Sequence, residues 1–381
     1  MRRKIKVLEV IRQGQIGGGE SHLLDLIYFF DKEIIEPICL SFSKGEMITK
    51  LNKMGITCYV IDTEKPFDLK VQQGIIKLLK DEGIQIVHAH GSRAASNVLY
   101  PTRKLGLPLV YTVHGWSFHD DQSFLVKTLR AWSEKLICHF ADEVICVSQS
   151  NADTGQKVFG LKSAVVIENG VNLDRFNPDL QYEDLRTVFG FNSSDFVVGF
   201  IARCTKQKNP LVFLEAIKLA HHHNSQIKGL FIGEGDMDAE VDAFIESNQM
   251  HEYVYRSPFR TDVPELLNCI DVYCLPSLWE GLSIALLEAM AMKKAIVATP
   301  TDGTIELIEH EKNGLIVPFD DPKAVSESFC RFYTDQQLKT TCSNAARQFV
   351  KKRFDAKRVA ASVQDIYYQI LNRKEKIGDI A

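Results

Sequence analysis

The sequence predicts an α/β protein made of two doubly wound parallel sheets, one in each half of the chain. Three observations carry that expectation. Short apolar runs alternate with longer stretches of helical periodicity along almost the whole length. A polar, proline-containing stretch over 177–184 interrupts the alternation near the middle and reads as a linker. Polar or glycine-rich segments follow many of the apolar runs, where open parallel sheets collect ligands beyond the carboxyl ends of their strands. With 381 residues there is chain enough for two ordinary domains, here expected at 1–178 and 179–355.

In the first half the strands are expected at 5–11, 38–42, 57–61, 84–88, 109–113, 143–147 and 165–167. In the second half they are expected at 196–201, 230–232, 254–255, 272–275, 296–298 and 315–317, with helix from 323 to about 373. The stretch 271–299 is the most informative. A strand at 271–275 is stopped by Pro276-Ser277, Glu280-Gly281 form a tight turn, and Ser283 is placed to cap a helix reaching about Met292. That helix is apolar on every face except for Glu288, so it is expected to be buried with one carboxylate inside it. A helix amino terminus offers amides and a favourable dipole to an anion. Glu288 lies roughly 7–8 Å along the axis from the cap. A diphosphate at the cap would have a carboxylate on either side to bind hydroxyls, as a nucleotide diphospho-sugar requires. Spacing alone leaves open an exposed loop glutamate plus a helix glutamate that meets solvent or a lysine.

Composition narrows the function class. The chain is 45% hydrophobic and 25% charged, with a net charge of −4, which gives no support to nucleic-acid binding. Nine cysteines without a CxxC pair suggest reduced thiols in a cytoplasmic protein. No apolar run is long enough to span a membrane, so any membrane contact is expected to be peripheral. Scattered cations in the first half (Arg2, Arg3, Lys4, Lys127, Arg130) could meet anionic lipid.

Several loops carry further candidates. Gly17-Gly18-Gly19 stands between a strand and an apolar helix at 23–30, and it lets backbone approach a ligand. It is not GxGxxG, and no acidic residue follows at dinucleotide spacing, which disfavours a dehydrogenase. His114 follows a strand and precedes Gly115-Trp116, as a ligand contact or as a capping or core histidine. His88 and His90 have metal-pair spacing but no third ligand close in sequence, so packing or capping is expected. Ser148 is expected to cap a helix, and His221-His222-His223 to be a solvated helix end. Arg203 and Lys208 lie between a strand end and the helix begun by Pro210, where they form a basic loop suited to phosphate.

EGLSIALLEAMA, with the preceding LPS, resembles the E-x7-E signature of the retaining glycosyltransferases of family 4, which have the GT-B fold. TVHG around His114, R-x4-K at Arg203 and Lys208, GEG at 233–235 and the NGVN hinge at 169–172 are similar to further segments of that family. The resemblance implies two Rossmann-like domains facing across a cleft, with a final helix over 356–371 crossing back to the N-terminal domain, so that about 356–381 joins 1–178. It implies that Glu280 contacts the donor sugar, Glu288 the nucleotide ribose, and His114 the sugar near its reacting end. Arg203 and Lys208 would neutralise the diphosphate, with Gly281, Leu282 and Ser283 presenting amides. Gly18 and Gly19 would lie near the donor phosphates, and Arg260 in the loop bordering the base. Pro258, Lys293 and Asp302 stand where relatives usually have glycine.

The implied function is transfer of a hexose or N-acetylhexosamine from a UDP- or GDP-sugar to a glycan or lipid-linked acceptor, with retention and no cofactor. No DxD motif suits a metal, since Asp120-Asp121 and Asp320-Asp321 look like surface residues. Polysaccharide synthesis at the inner membrane face is the expected setting. A nucleotide-sugar epimerase and a non-catalytic sugar-binding relative are the alternatives; retention of both phosphate cations counts against the second.

Overall fold

A computed structural model describes residues 4–15, 17–118 and 122–378, with the side chains of 374–378 undescribed. Arg2, Arg3 and the Asp120-Asp121 pair lie outside the described residues. The chain divides into two compact units: one runs to Gly170 and resumes at Ala356, and the other is Val171–Asp355. The division falls before the polar stretch at 177–184.

The first unit is a seven-stranded parallel sheet in the order β3-β2-β1-β4-β5-β6-β7. Its elements are β1 Ile5–Ile11, α1 Gly18–Phe29, β2 Ile35–Ser41, α2 Glu46–Lys53, β3 Thr57–Val60, α3 Gln72–Asp81, β4 Ile86–His90, α4 Ser92–Leu105, β5 Leu109–Val113, α5 Phe124–Phe140, β6 Glu143–Cys146, α6 Gln149–Phe159 and β7 Val165–Val166. Alternate residues of β1 serve two cores. Val7 and Ile11 pack on one face of the sheet, and Leu8 and Val10 on the other. That is why these strands read as continuous apolar runs. Glu9 breaks the run on the first face. Two of the differences from expectation bear on the site. β4 extends through both histidines, because Glu9 and Thr112 on the adjoining strands lie in register with His88 and His90 and give them polar neighbours. α1 begins at Gly18, so Gly18 and Gly19 form its first turn rather than a loop.

The second unit is a six-stranded parallel sheet in the order β10-β9-β8-β11-β12-β13. Its elements are α7 Leu185–Val188, β8 Phe196–Ile201, α8 Pro210–His223, β9 Ile227–Ile232, α9 Asp238–Ser247, β10 Val254–Ser257, α10 Val263–Cys269, β11 Val272–Leu275, α11 Ile284–Ala291, β12 Ala295–Ala298, α12 Asp302–Ile305, β13 Leu315–Ile316, α13 Pro322–Thr334 and α14 Gln336–Arg353. Strand order reverses between β8 and β11, so the loops after these two strands flank the position where such sheets bind ligands.

α15, Ala356–Gly378, returns the chain to the first unit. Its Ala360, Val363, Ile366, Tyr367 and Ile370 complete the core over α1. Burying such side chains stabilises by about 1.5–3 kcal/mol each, so this helix is part of the first unit's stability rather than an appendage. All nine cysteines are free thiols. No described helix is long and apolar enough to cross a membrane.

Candidate active site

In the second unit the loop after β11 and the turn after β8 are fastened together. The Leu278 amide donates to the Gln207 carbonyl at 2.8 Å, and Gln207 Nε2 donates to the Trp279 carbonyl at 2.8 Å. This brings Lys208 Nζ onto Glu280 Oε1 as a salt bridge. Ser277 Oγ donates to the same oxygen at 2.7 Å. Both charged side chains are largely buried, 12% and 7% exposed, so each depends on the other for its charge to be tolerated. Arg203 leaves the end of the same β8 with an exposed side chain.

α11 starts where expected. Ser283 is extended and its hydroxyl accepts from the Leu286 amide at 3.4 Å, which defines the amino terminus just after Glu280, Gly281 and Leu282. Glu288 is buried within this helix. The Tyr273 hydroxyl on β11 is pushed well above its usual range by burial first, then by Glu280 and Glu288. Both carboxylates therefore act on one buried phenol. Two glycines let the loops approach closely. A Cβ on Gly303 would sit 1.9 Å from the Gly281 carbonyl oxygen, and one on Gly233, at φ +148°, would sit 1.8 Å from that of Ala202. The second contact sets the backbone that carries Arg203. Arg260 is held elsewhere by its own loop: Nε donates to Asp262 Oδ1 at 3.0 Å, and the guanidinium lies 5.4 Å from the centre of Phe189. Asp320 accepts from Asn209 Nδ2 at 2.8 Å and Asp321 caps α13, so this acidic pair serves the fold.

In the first unit the histidines form a chain of contacts that sequence reasoning missed. It found no third ligand near His88 and His90; the structure brings Glu9, His22 and His114 to them. Buried Glu9 accepts from Tyr367 at 2.7 Å and from His90 Nε2 at 2.8 Å. His88 is engaged at both nitrogens, with Tyr367 at 2.6 Å and Thr112 at 2.7 Å. His90 Nδ1 meets His114 Nε2 at 3.2 Å. Both nitrogens of His88 and His90 are thus committed to hydrogen bonds, although the donor set is one a metal would accept. Glu9 is held well below the usual carboxylate range by His88 and His90, against the opposing effect of its burial. Burial pulls His90 down to about 4 and His22 to about 3, so both rings are neutral near pH 7.

That charge pattern assigns the tautomers. Ionised Glu9 takes a hydrogen from His90 Nε2, which leaves His90 Nδ1 bare to accept from His114 Nε2. His114 Nδ1 is then a bare acceptor, buried and without a hydrogen-bond partner among the described residues. The ring lies against α1, with its centroid 4.9 Å from that of His22. Gly18 has open space around it. The sequence signal for this network was a glutamate at the centre of an otherwise apolar strand.

The comparisons with known proteins agree for both halves. Residues 16–175 match the family model Glycosyltransferase Family 4, and residues 181–349 match Glycosyl transferases group 1. The chain is 29% identical over 321 residues, 81% of each chain, to the UDP-Gal:alpha-D-GlcNAc-diphosphoundecaprenol alpha-1,3-galactosyltransferase of Escherichia coli. It is 27% identical over 355 residues to the N,N'-diacetylbacillosaminyl-diphospho-undecaprenol alpha-1,3-N-acetylgalactosaminyltransferase of Campylobacter jejuni, covering 86% of this chain and 92% of that one. Among solved structures, Anabaena HepE in complex with UDP-glucose superposes with a TM-score of 0.85 at 22% identity, over 96% of this chain and 100% of that one. The shared fold is GT-B.

Proposed function

The chain belongs to the glycosyltransferases, family 4 in its N-terminal half and group 1 in its C-terminal half, and from that premise we propose the reaction it performs. It moves a hexose or N-acetylhexosamine from a UDP- or GDP-sugar to a glycan or lipid-linked acceptor, with retention and without a metal, in surface polysaccharide synthesis. The observation that carries this reading is the joined pair of loops at the β8/β11 switch point. They hold Lys208 on Glu280 just before the amino terminus of α11, the helix in which Glu288 is buried, and Arg203 stands in the same turn after β8.

With donor bound, the diphosphate competes with Glu280 for Lys208. Arg203, Lys208 and the amides of Gly281, Leu282 and Ser283 take up the charge that develops as the glycosidic C–O bond breaks. Glu280, freed of part of its pairing, accepts sugar hydroxyls, and Glu288 accepts from the ribose. His114 Nδ1, the bare acceptor, takes a hydroxyl hydrogen of the sugar. The acceptor hydroxyl attacks from the face the diphosphate leaves, its proton passing to a departing phosphate oxygen, so no protein nucleophile is required. The two relatives named above are described as acting on diphosphoundecaprenol-linked sugars, which supports a lipid-linked acceptor and work at the inner face of a membrane.

The test is transfer to a sugar-diphosphate-lipid acceptor in excess EDTA, followed by proton NMR of the new glycosidic linkage. An α-linked product from an α-linked donor, formed at an undiminished rate with chelator, is expected. Inversion, or activity that returns only with added divalent cation, contradicts the mechanism.

A further inference from the structure

Three histidines from three elements converge at the carboxyl edge of the first sheet. His90 ends β4, His114 follows β5, and His22 lies on the buried side of α1, one turn before Leu26. Their ring centroids form a nearly equilateral triangle. Its sides are 4.9 Å between His22 and His114, 5.5 Å between His90 and His114, and 5.7 Å between His22 and His90. One ring nitrogen from each lies within 4.8 Å of the other two. On a tetrahedral ion with metal–nitrogen bonds of about 2.0–2.1 Å, imidazole nitrogens stand about 3.3 Å apart and ring centres about 5 Å apart. His90 Nδ1 and His114 Nε2 already lie at 3.2 Å.

The surroundings suit an ion as well as the distances do. Glu9 accepts from His90 Nε2 at 2.8 Å and is itself held by Tyr367 at 2.7 Å. Such a carboxylate fixes a metal-binding ring with its other nitrogen bare. His114 is half-buried, and Gly115 beside it is exposed with open space around it, which leaves access and room for water as a fourth ligand. The neighbouring set of Glu9, His88 and His90 is closed by contrast. All three are buried, and both nitrogens of His88 are occupied, by Tyr367 and Thr112.

We propose that His22, His90 and His114 bind a divalent transition-metal ion of the zinc class, and that the bound ion closes His114 to the donor sugar. The ion takes the place of the hydrogen between His90 Nδ1 and His114 Nε2. That hydrogen moves to His114 Nδ1, so no proton is released and Nδ1 has no lone pair left to offer. The ion is an inhibitor, and transfer proceeds without it. The closure rests on the sugar contact given to His114 above; binding of the ion does not.

The test uses the untagged full chain and cobalt(II) chloride. A parallel sample carries His222→Gln with His223→Gln, which removes the exposed imidazoles that end α8. One cobalt ion per chain is expected to bind in both samples with the visible absorption of a tetrahedral site, and zinc chloride to displace it. Loss of an outer-shell partner costs a metal site roughly 10–100-fold in affinity, so His22→Gln, which removes a ligand, is expected to cost at least about a hundredfold. Its transfer rate in EDTA stays at the wild-type value. His22→Cys keeps a ligand and adds a thiolate-to-cobalt charge-transfer band in the near ultraviolet, which reads the site independently of the glutamine variant. Absorption that is missing in wild type, that survives His22→Gln at full strength, or that disappears with the α8 histidines overturns the site. Zinc loaded at one ion per chain is expected to raise the nucleotide-sugar concentration needed for a given thermal shift about tenfold, the worth of one hydrogen bond. Bound zinc with an unaltered donor response overturns the closure and the sugar contact of His114, and leaves the ion's site standing.

Discussion

Glu9 shows how one residue can organise a domain's polar interior. A lone carboxylate with no exposure, in an inner strand of a sheet, is tolerated because His90 and Tyr367 donate to it. These partners lie 81 and 358 residues away, so the composition of the strand could announce an anomaly but not its resolution. Acid should undo the arrangement. His22 and His90 have ordinary values near 6.5 when unfolded and about 3 and about 4 when folded. The unfolded chain therefore binds protons first as pH falls. The stability these rings give is complete above pH 6.5 and is lost progressively as pH falls, down to about 4 for His90 and about 3 for His22, at up to about 1.4 kcal/mol per pH unit for each histidine. Thermal midpoints by circular dichroism from pH 7.5 to 4.5 should fall along that slope. His90→Gln should be less stable at pH 7.5 but fall less steeply, whereas His222→Gln, on an exposed helix end, should track the wild type. Parallel slopes for His90→Gln and wild type would remove the buried imidazoles from the account.

At the level of elements, much was readable. The strands at 109–113, 196–201 and 272–275 have the expected boundaries, as do the Ser283 and Ser148 caps. Apolar periodicity and capping residues are local signals, and these elements obey them. Local chemistry ends β4 at His88 and reads Gly18 and Gly19 as a loop, whereas the strand runs to His90 and the glycines open α1. For the histidines a tertiary partner overrides local chemistry, through the polar neighbours of β1 and β5. Spacing suggested the R-x4-K and E-x7-E residues, but it could not show that Lys208 rests on Glu280, 72 residues on. The turn below them is set by glycine. Gly233→Ala puts a Cβ against the Ala202 carbonyl in a backbone conformation that disfavours side chains. The account predicts a loss of about 2–4 kcal/mol in urea unfolding together with weaker donor binding, because the turn that leads to Lys208 must shift. Full stability with intact donor affinity would show that the approach of β9 to that turn does not position the site.

For the whole molecule, the order of elements and the two-unit plan follow from the alternation of strand and helix, and the family from motifs that the comparisons match in both halves. The identity of the sugar is not written in any spacing, because a hydroxyl pattern is read by the shape of several loops at once. The buried chain from Glu9 to His114 was equally hidden, since it depends on which way each side chain points. The central claim is that a nucleotide diphospho-sugar occupies the amino terminus of α11 between Glu280 and Glu288, under Arg203 and Lys208. Thermal shift against a panel of UDP-, GDP- and ADP-sugars tests it most directly, on wild type, Glu288→Ala and Arg203→Ala. A UDP- or GDP-sugar should raise the wild-type midpoint by several degrees, as about 3 kcal/mol of ligand stabilisation does at a hundredfold excess over Kd. Glu288→Ala should weaken that response at least tenfold in ligand concentration, while Arg203→Ala should still bind and lose turnover by on the order of a hundredfold. A panel with no response, or a response that Glu288→Ala leaves unaltered, would contradict the account.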